Sequence, residues 1–205
     1  ILFSLAKYRR SGINLGLFAM TFDPSLLINL LRQEAQAARL WHPQCKGAGS
    51  PLFDQGDMAT HGWILESGLV KLSYVTADGQ DWIKSFVADH GLFAGNTDIS
   101  SFEPNRFSAV CLEESVVVAL PIDWLAQRMA GSPDIQSALV TFSLWLQQRK
   151  QEREETLLCL SAEQRYRAFL NEPSLLAHRL KQNDIARYIG VTAIALSRIR
   201  KRQTA

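Results

Sequence analysis

Gln182-Asn183-Asp184-Ile185-Ala186-Arg187-Tyr188-Ile189-Gly190-Val191-Thr192-Ala193-Ile194-Ala195-Leu196-Ser197-Arg198-Ile199-Arg200-Lys201-Arg202 decides how this 205-residue chain folds at its end. Ile185 and Ile189 are four apart, so they share one face of a helix. Ala186 is small where a second helix must approach closely. Gly190 follows at the turn, where a left-handed backbone costs glycine little. Val191 plugs the corner, Thr192 caps a second helix by accepting from its free amides, and Leu196 and Ile199 hold that helix down. Ala193, Ile194, Ser197, Arg198 and Lys201 are left facing outward. The pattern predicts a helix-turn-helix, an arrangement that presents its second helix to a DNA major groove.

Charge agrees with this reading. Arg179, Lys181, Arg187, Arg198, Arg200, Lys201 and Arg202 are opposed by one acid, Asp184, while the whole chain carries only +2. A basic patch at one end attracts phosphates even on a nearly neutral protein.

An apolar content of 47% supports a sizeable core. Cys45, Cys111 and Cys159 are odd in number and far apart, with no zinc or CxxC spacing. No disulfide framework is expected, and a reducing, cytoplasmic compartment fits. No apolar run approaches the roughly eighteen residues of a membrane span. Residues 1–19 lack the pattern of a signal peptide, and Met20, just before the first helical pattern, is the expected natural start.

Asp23-Pro24 opens a helix carrying Leu26, Leu27, Leu30 and Leu31, which should end before His42-Pro43. From about Cys45 to Leu120 short apolar runs alternate with turn residues. Residues 63–65, 69–75, 82–87 and 116–120 read as strands, with Asp78-Gly79 as a hairpin turn and Gly91–Gly95 as another turn. These suggest a β-roll or jelly roll. Pro121 starts a helix that ends near Gly131, and Ser132-Pro133-Asp134 starts a longer one. In the longer helix Ile135, Leu139, Phe142 and Leu146 step as a coiled-coil dimer seam does, and the same stripe would also pack on its own β-roll. Ser161-Ala162-Glu163-Gln164 is a capping box, and Pro173 breaks the chain before the helix-turn-helix. The class is α+β, with a sensor domain at 21–132, a dimerisation and linker helix at 133–160 and a helix-turn-helix domain at 161–205.

A β-roll, a long helix and a C-terminal helix-turn-helix, in that order, resemble the cAMP receptor protein/FNR superfamily of bacterial regulators over residues 21–205. Leu52 to Asp57, Trp63 to Leu72 and Gly91 to Gly95 are similar to the glycine framework of that family's roll, with Gly56, Gly68, Gly91 and Gly95 at turns. Leu196-Ser197-Arg198-Ile199 resembles the recognition helix of its FNR-like branch. The resemblance implies a homodimeric transcription regulator whose partners are double-stranded DNA, RNA polymerase and a small-molecule effector. It implies base contacts from Ser197 and Arg198, the latter suited to guanine. Ile194 replaces a glutamate common there and would alter the target site. The chain as given stops soon after this helix, resembling a short branch without the C-terminal wing, so Thr192, Arg200, Lys201 and Arg202 would hold phosphates.

Members that bind cyclic nucleotide use a glycine, glutamate, arginine and serine or threonine cassette. Gly95 and Arg106 stand at matching places, but Asn96 replaces the glutamate and Phe107 the hydroxyl residue. Two lost charge-assisted bonds at about 1.5–3 kcal/mol each weaken binding at least about a hundredfold. The cyclic nucleotide is therefore the doubtful effector at this pocket. Three dispersed cysteines cannot hold an iron–sulfur cluster within one chain. His42, His61, His90 and His178 read as surface or turn residues rather than haem ligands. Cys111 reads as packing, and Cys159 is the thiol to test for redox sensing. No nucleophile elbow, metal-ligand set or phosphate loop marks an enzyme. The alternative is a sensor module that acts through protein–protein contacts without specific DNA binding.

Overall fold

The computed structural model describes residues 24–96, 103–171 and 177–203. The expected Asp23 cap, Met20 and Pro173 lie outside them. The elements run α1 (Ser25–Ala37), β1 (Gln44–Lys46), β2 (Pro51–Phe53), β3 (His61–Ser67), β4 (Leu69–Val75), β5 (Asp81–Ala88), β6 (Gly91–Ala94), β7 (Ser108–Cys111), β8 (Ser115–Pro121), α2 (Ile122–Gly131), α3 (Pro133–Cys159), α4 (Ala162–Leu170), α5 (Gln182–Ile189) and α6 (Ala193–Gln203). Two antiparallel sheets, ordered β1-β8-β3-β6 and β2-β7-β4-β5, face each other as a jelly roll. Gly91–Gly95, expected as a turn, instead supplies strand β6, whose backbone pairs with Gly62–Leu65.

Both sheets are buried on both faces, so their strands depart from simple in/out alternation. Between the sheets lie Leu65, Val70, Leu72, Phe93, Phe107, Ala109, Cys111 and Val117. On the outer face of the first sheet, Ile64, Val118 and Leu120 meet α1, α2 and α3 through Leu27, Leu31, Trp124, Ile135 and Phe142. On the outer face of the second, Leu69, Ile83, Phe86, Ala88 and Leu112 meet the C-terminal helices. Ile83 and Phe86 are three apart, an odd number, yet share this face. A β-bulge makes that possible: Leu72 pairs Ser85 and Ser73 pairs Ile83, which leaves Lys84 as the extra residue. A second irregularity, between Leu65 and Ser67, turns Glu66 to Arg32 of α1 in a two-pronged pair at 2.8 and 2.9 Å.

Ser132 caps α3 by accepting from the Ile135 amide, with Pro133 in the first turn. The helix is 27 residues long, about 40 Å. The expected dimer seam is largely consumed within the protomer. Ile135 and Phe142 are 1% and 8% exposed in the first core, with Leu139 and Leu146 packed against it. In the first half of the helix the apolar residues turned outward are Val140 and Leu144, at 59% and 60% exposure, and Leu157 and Leu158 are exposed near its end. Periodicity identified which residues share a face, and packing assigned that face to the protomer's own roll. Ser161 and Gln164 form the expected reciprocal capping box of α4.

Gly68 has φ 113, and a Cβ there would lie 2.2 Å from Ser115 Oγ and 2.7 Å from its Cα. Gly79 has φ 78 at the β4–β5 turn, with nothing within 4 Å of an added Cβ. Gly79→Ala should therefore cost only the left-handed backbone, about 1–2 kcal/mol. Gly68→Ala adds overpacking against backbone, for a loss of at least about 3 kcal/mol. Equal losses in denaturant unfolding would contradict this.

Candidate nucleic-acid interface and effector pocket

The helix-turn-helix forms as its sequence predicts. Ile185, Ala186, Ile189, Leu196 and Ile199 are buried. Gly190 adopts φ 71, ψ 43 and ends α5, with Val191 N donating to Ala186 O at 2.9 Å. Thr192 Oγ1 accepts from the Ala195 amide at 3.2 Å, which caps α6. Ile194, Ser197, Arg198 and Lys201 fall at helical spacing opposite Leu196 and Ile199, and all are exposed, Ile194 by 68%. Thr192, Arg200 and Arg202 are exposed as well. The surface is a polar and basic ridge in which Ile194 is the one large apolar side chain.

The basic count of the sequence is redistributed. Arg179 turns to the roll, donating to Asp89 Oδ2 and Gly68 O at 2.8 Å and to Glu113. Arg187 pairs with Asp81, which also accepts from Lys71 at 2.6 Å. Two of the seven basic residues between 179 and 202 thus face the β-roll. Burial disfavours the Asp89 carboxylate, but the Gly68 amide and Arg179 together outweigh it and hold its carboxyl below the usual range. Tyr188, which sequence reasoning passed over, is buried between Phe86 and Phe169, at ring-centroid distances of 5.2 and 5.7 Å. Arg153 of α3 stacks over its ring and donates to its carbonyl. An aromatic residue at the outward edge of α5 is the signal that would have found it.

The residues expected around an effector converge only in part. Gly95 and Asn96 are buried. A Cβ on Gly95 would meet Asn105 Oδ1 at 1.9 Å, so glycine is needed there. Asn96 Nδ2 donates to Glu103 at 3.4 Å. The Arg106 side chain is exposed and makes no hydrogen bond or ion pair among the described residues, while its amide donates to Gly95 O. Phe107 is 6% exposed inside the roll, with its ring 5.8 Å from Phe53 and 6.3 Å from Tyr74. Around this place the arginine side chain is exposed and Phe107, where the family's binders keep a hydroxyl, is a buried aromatic ring. A cavity of about 320 Å3 opens instead at the end of the roll, beside Phe53, Trp63, His61 and Asn105. Among the described residues no cluster of histidine, cysteine or carboxylate could hold a metal ion. Cys111 is buried as expected, whereas Cys159 is exposed at the end of α3.

Lys84, the bulged residue of β5, was missed because a lysine in a strand reads as solvent-facing. Its Nζ lies 4.4 Å above the centre of the Phe107 ring. Burial pushes its ammonium down to about 8, and Lys150 of α3 adds to the shift.

Comparison with known proteins places this geometry among relatives. The cyclic nucleotide-binding domain family matches residues 46–131. The chain is similar to the nitrogen fixation regulation protein FixK of Azorhizobium caulinodans, 27% identical over 176 residues, covering 78% of this chain and 68% of that protein. It is similar to the fumarate and nitrate reduction regulatory protein of Yersinia pestis, 27% identical over 165 residues, covering 74% and 64%. It thus spans about two thirds of the length of these curated relatives. In fold it is similar to FixK2 from Bradyrhizobium japonicum, with a TM-score of 0.69 at 16% identity over 80% of this chain and 84% of that one. Among the described residues no helix is long and apolar enough to cross a membrane.

The shift at Lys84 has a consequence for stability. The unfolded lysine holds its proton to about pH 10.5, the folded one only to about 8. The unfolded state therefore binds more protons between these values, and stability rises with pH across that window. Lys84→Met should stabilise the protein at pH 7 by on the order of 1–3 kcal/mol. The advantage over wild type should shrink from pH 8 to 10.5. A constant difference across that range in thermal unfolding would contradict this.

Proposed function

Because the chain belongs to the cAMP receptor protein/FNR superfamily, we propose that it is a homodimeric, sequence-reading DNA-binding transcriptional regulator. The observation that carries this reading is the exposed ridge of Ile194, Ser197, Arg198 and Lys201, backed by the buried Leu196 and Ile199. Arg198 reads a guanine through its forked donors, Ser197 reads the neighbouring base, and Ile194 packs on a thymine methyl. Thr192, Arg200, Lys201 and Arg202 anchor phosphates on either side. The two curated relatives, each a regulatory protein by name, support the same reading.

The dimer forms along α3. Val140 and Leu144 are exposed apolar residues four apart in its first half, and Leu157 and Leu158 follow near its end. Burying such a stripe against its own copy removes apolar surface from water and places two α6 helices for paired half-sites about 34 Å apart. The effector is not a cyclic nucleotide held in the family's usual way, because the buried Phe107 ring packs against Phe53 and Tyr74 where a hydroxyl would be needed, and the exposed Arg106 side chain has no partner among the described residues to hold it over a phosphate.

The test is binding to genomic fragments across a range of salt concentrations. Arg198→Ala should cost about 1–3 kcal/mol and relax one position per half-site. Unchanged binding in that variant, or no site preference in wild type, would favour a sensor that works through protein contacts. For the dimer, Leu144→Glu should shift sedimentation towards monomer while leaving the protomer folded. Phe142→Ala should instead destabilise the protomer by about 3–5 kcal/mol. A dimer unaffected by Leu144→Glu would place the interface elsewhere.

A further inference from the structure

The C-terminal helices do not hang from α3; they are seated on the outer face of the second sheet. α5 lies against β5, with Ile83 and Phe86 under Ile185, Tyr188 and Ile189. Two arginines pin this seat at its ends, Arg179 through Asp89, Glu113 and the Gly68 carbonyl, and Arg187 through Asp81. The Arg187–Asp81 end is also where the first turn of α6 approaches the sensor. Gln80, Asp81 and Trp82 of the β4–β5 hairpin and Arg187, Thr192 and Ala193 line one cleft of about 180 Å3.

That position matters for a helix that works in a groove. The first turn of a recognition helix enters a major groove about 12 Å wide, walled by phosphates on both sides. With the hairpin where it stands, one phosphate wall must approach the Asp81 carboxylate, which lines the cleft beside Thr192 and Ala193. Like charges at that range repel, and a duplex gains nothing from a hairpin already occupied with Arg187.

We propose that the Arg187–Asp81 pair is an autoinhibitory latch: it holds the first turn of α6 against the β4–β5 hairpin, and DNA binds fully only when the latch opens. This rests on the DNA-reading function proposed above. A signal that shifts β5 acts on the latch directly, because Asp81 begins the strand that carries Lys84 into the roll. Both states of the latch keep the apolar seat near Phe86 and Tyr188 as a hinge, so the release is local.

The experiment compares Asp81→Asn with Asp78→Asn in the full chain. Both remove one negative charge from the same hairpin, but among the described residues the Asp78 side chain bonds only to its own hairpin, at Thr76 and Gln80. Asp81→Asn should bind a duplex selected by the wild type about fivefold more tightly. Asp78→Asn should match wild type, and Asp81→Glu, which keeps the charge, should restore wild-type affinity. Equal gains in Asp81→Asn and Asp78→Asn would reduce the effect to bulk charge and overturn the latch, as would weaker or unchanged binding by Asp81→Asn. Amide exchange without DNA separates this from the function itself. Faster exchange in the first turn of α6 in Asp81→Asn, with α1 to α3 unchanged, supports the latch even if no DNA site is found. Unchanged exchange there overturns it.

Discussion

Everything in this chain depends on the outer face of the β2-β7-β4-β5 sheet being covered. Leu69, Ile83, Phe86 and Ala88 are apolar on the side turned away from the roll's own interior. A sheet with one wet apolar face does not hold, and at roughly 25 cal/mol per Å2 the burial of these side chains contributes heavily to the stability of the fold. The C-terminal helices supply the cover. Tyr166, Phe169, Ile185, Tyr188 and Ile189 lie on the same cluster as the sheet residues. The β5 bulge exists for this contact, since without the extra residue Ile83 and Phe86 would point to opposite faces. The β-roll and the C-terminal helices are therefore joined through one core as well as through α3.

The same bulge reaches inward. Lys84, displaced by it, sits over Phe107 within the roll, while its neighbour Ile83 touches the reader domain. One strand thus has one face on the filled interior and the other on the C-terminal helices. The interior is an aromatic cluster of Phe53, Trp63, Phe93 and Phe107, with the exposed Tyr74 edge-on to Phe107 at its rim, where cyclic-nucleotide binders of the family keep a polar cassette. A change in how Phe107 and Lys84 pack would move β5, and β5 carries the seat of the C-terminal helices.

The helix-turn-helix was legible residue by residue because each position there has a single task. Ala186 must be small, Gly190 must be left-handed, and Leu196 and Ile199 must be buried, and each is so. The strands β3, β4, β5 and β8 were legible from apolar runs between turns. The stripe on α3 was legible only in part, as a face that packs on its own roll, because helical spacing names a face and leaves open how much of it the protomer covers. Ile135 and Phe142 went to the protomer's core, and Val140 and Leu144 were left outside. Nor could charge counting foresee that Arg179 and Arg187 direct their guanidinium groups to carboxylates 66, 90 and 106 residues away. Such partners are set by the fold. The effector cassette was legible in its losses, Asn96 and Phe107, and silent about Lys84, whose inward turn comes from a bulge that no local pattern announces.

The most direct measurement of the shared core is a double-mutant cycle between Phe86 on the sensor sheet and Tyr188 on α5, whose rings lie 5.2 Å apart. Phe86→Ala, Tyr188→Ala and the double variant would be unfolded in denaturant under the same conditions. If the two domains are held through this face, the two losses should fail to add by about 0.5–1.5 kcal/mol. Losses that add to within about 0.3 kcal/mol would show that the two rings do not meet in solution and that the reader is not seated on the sensor.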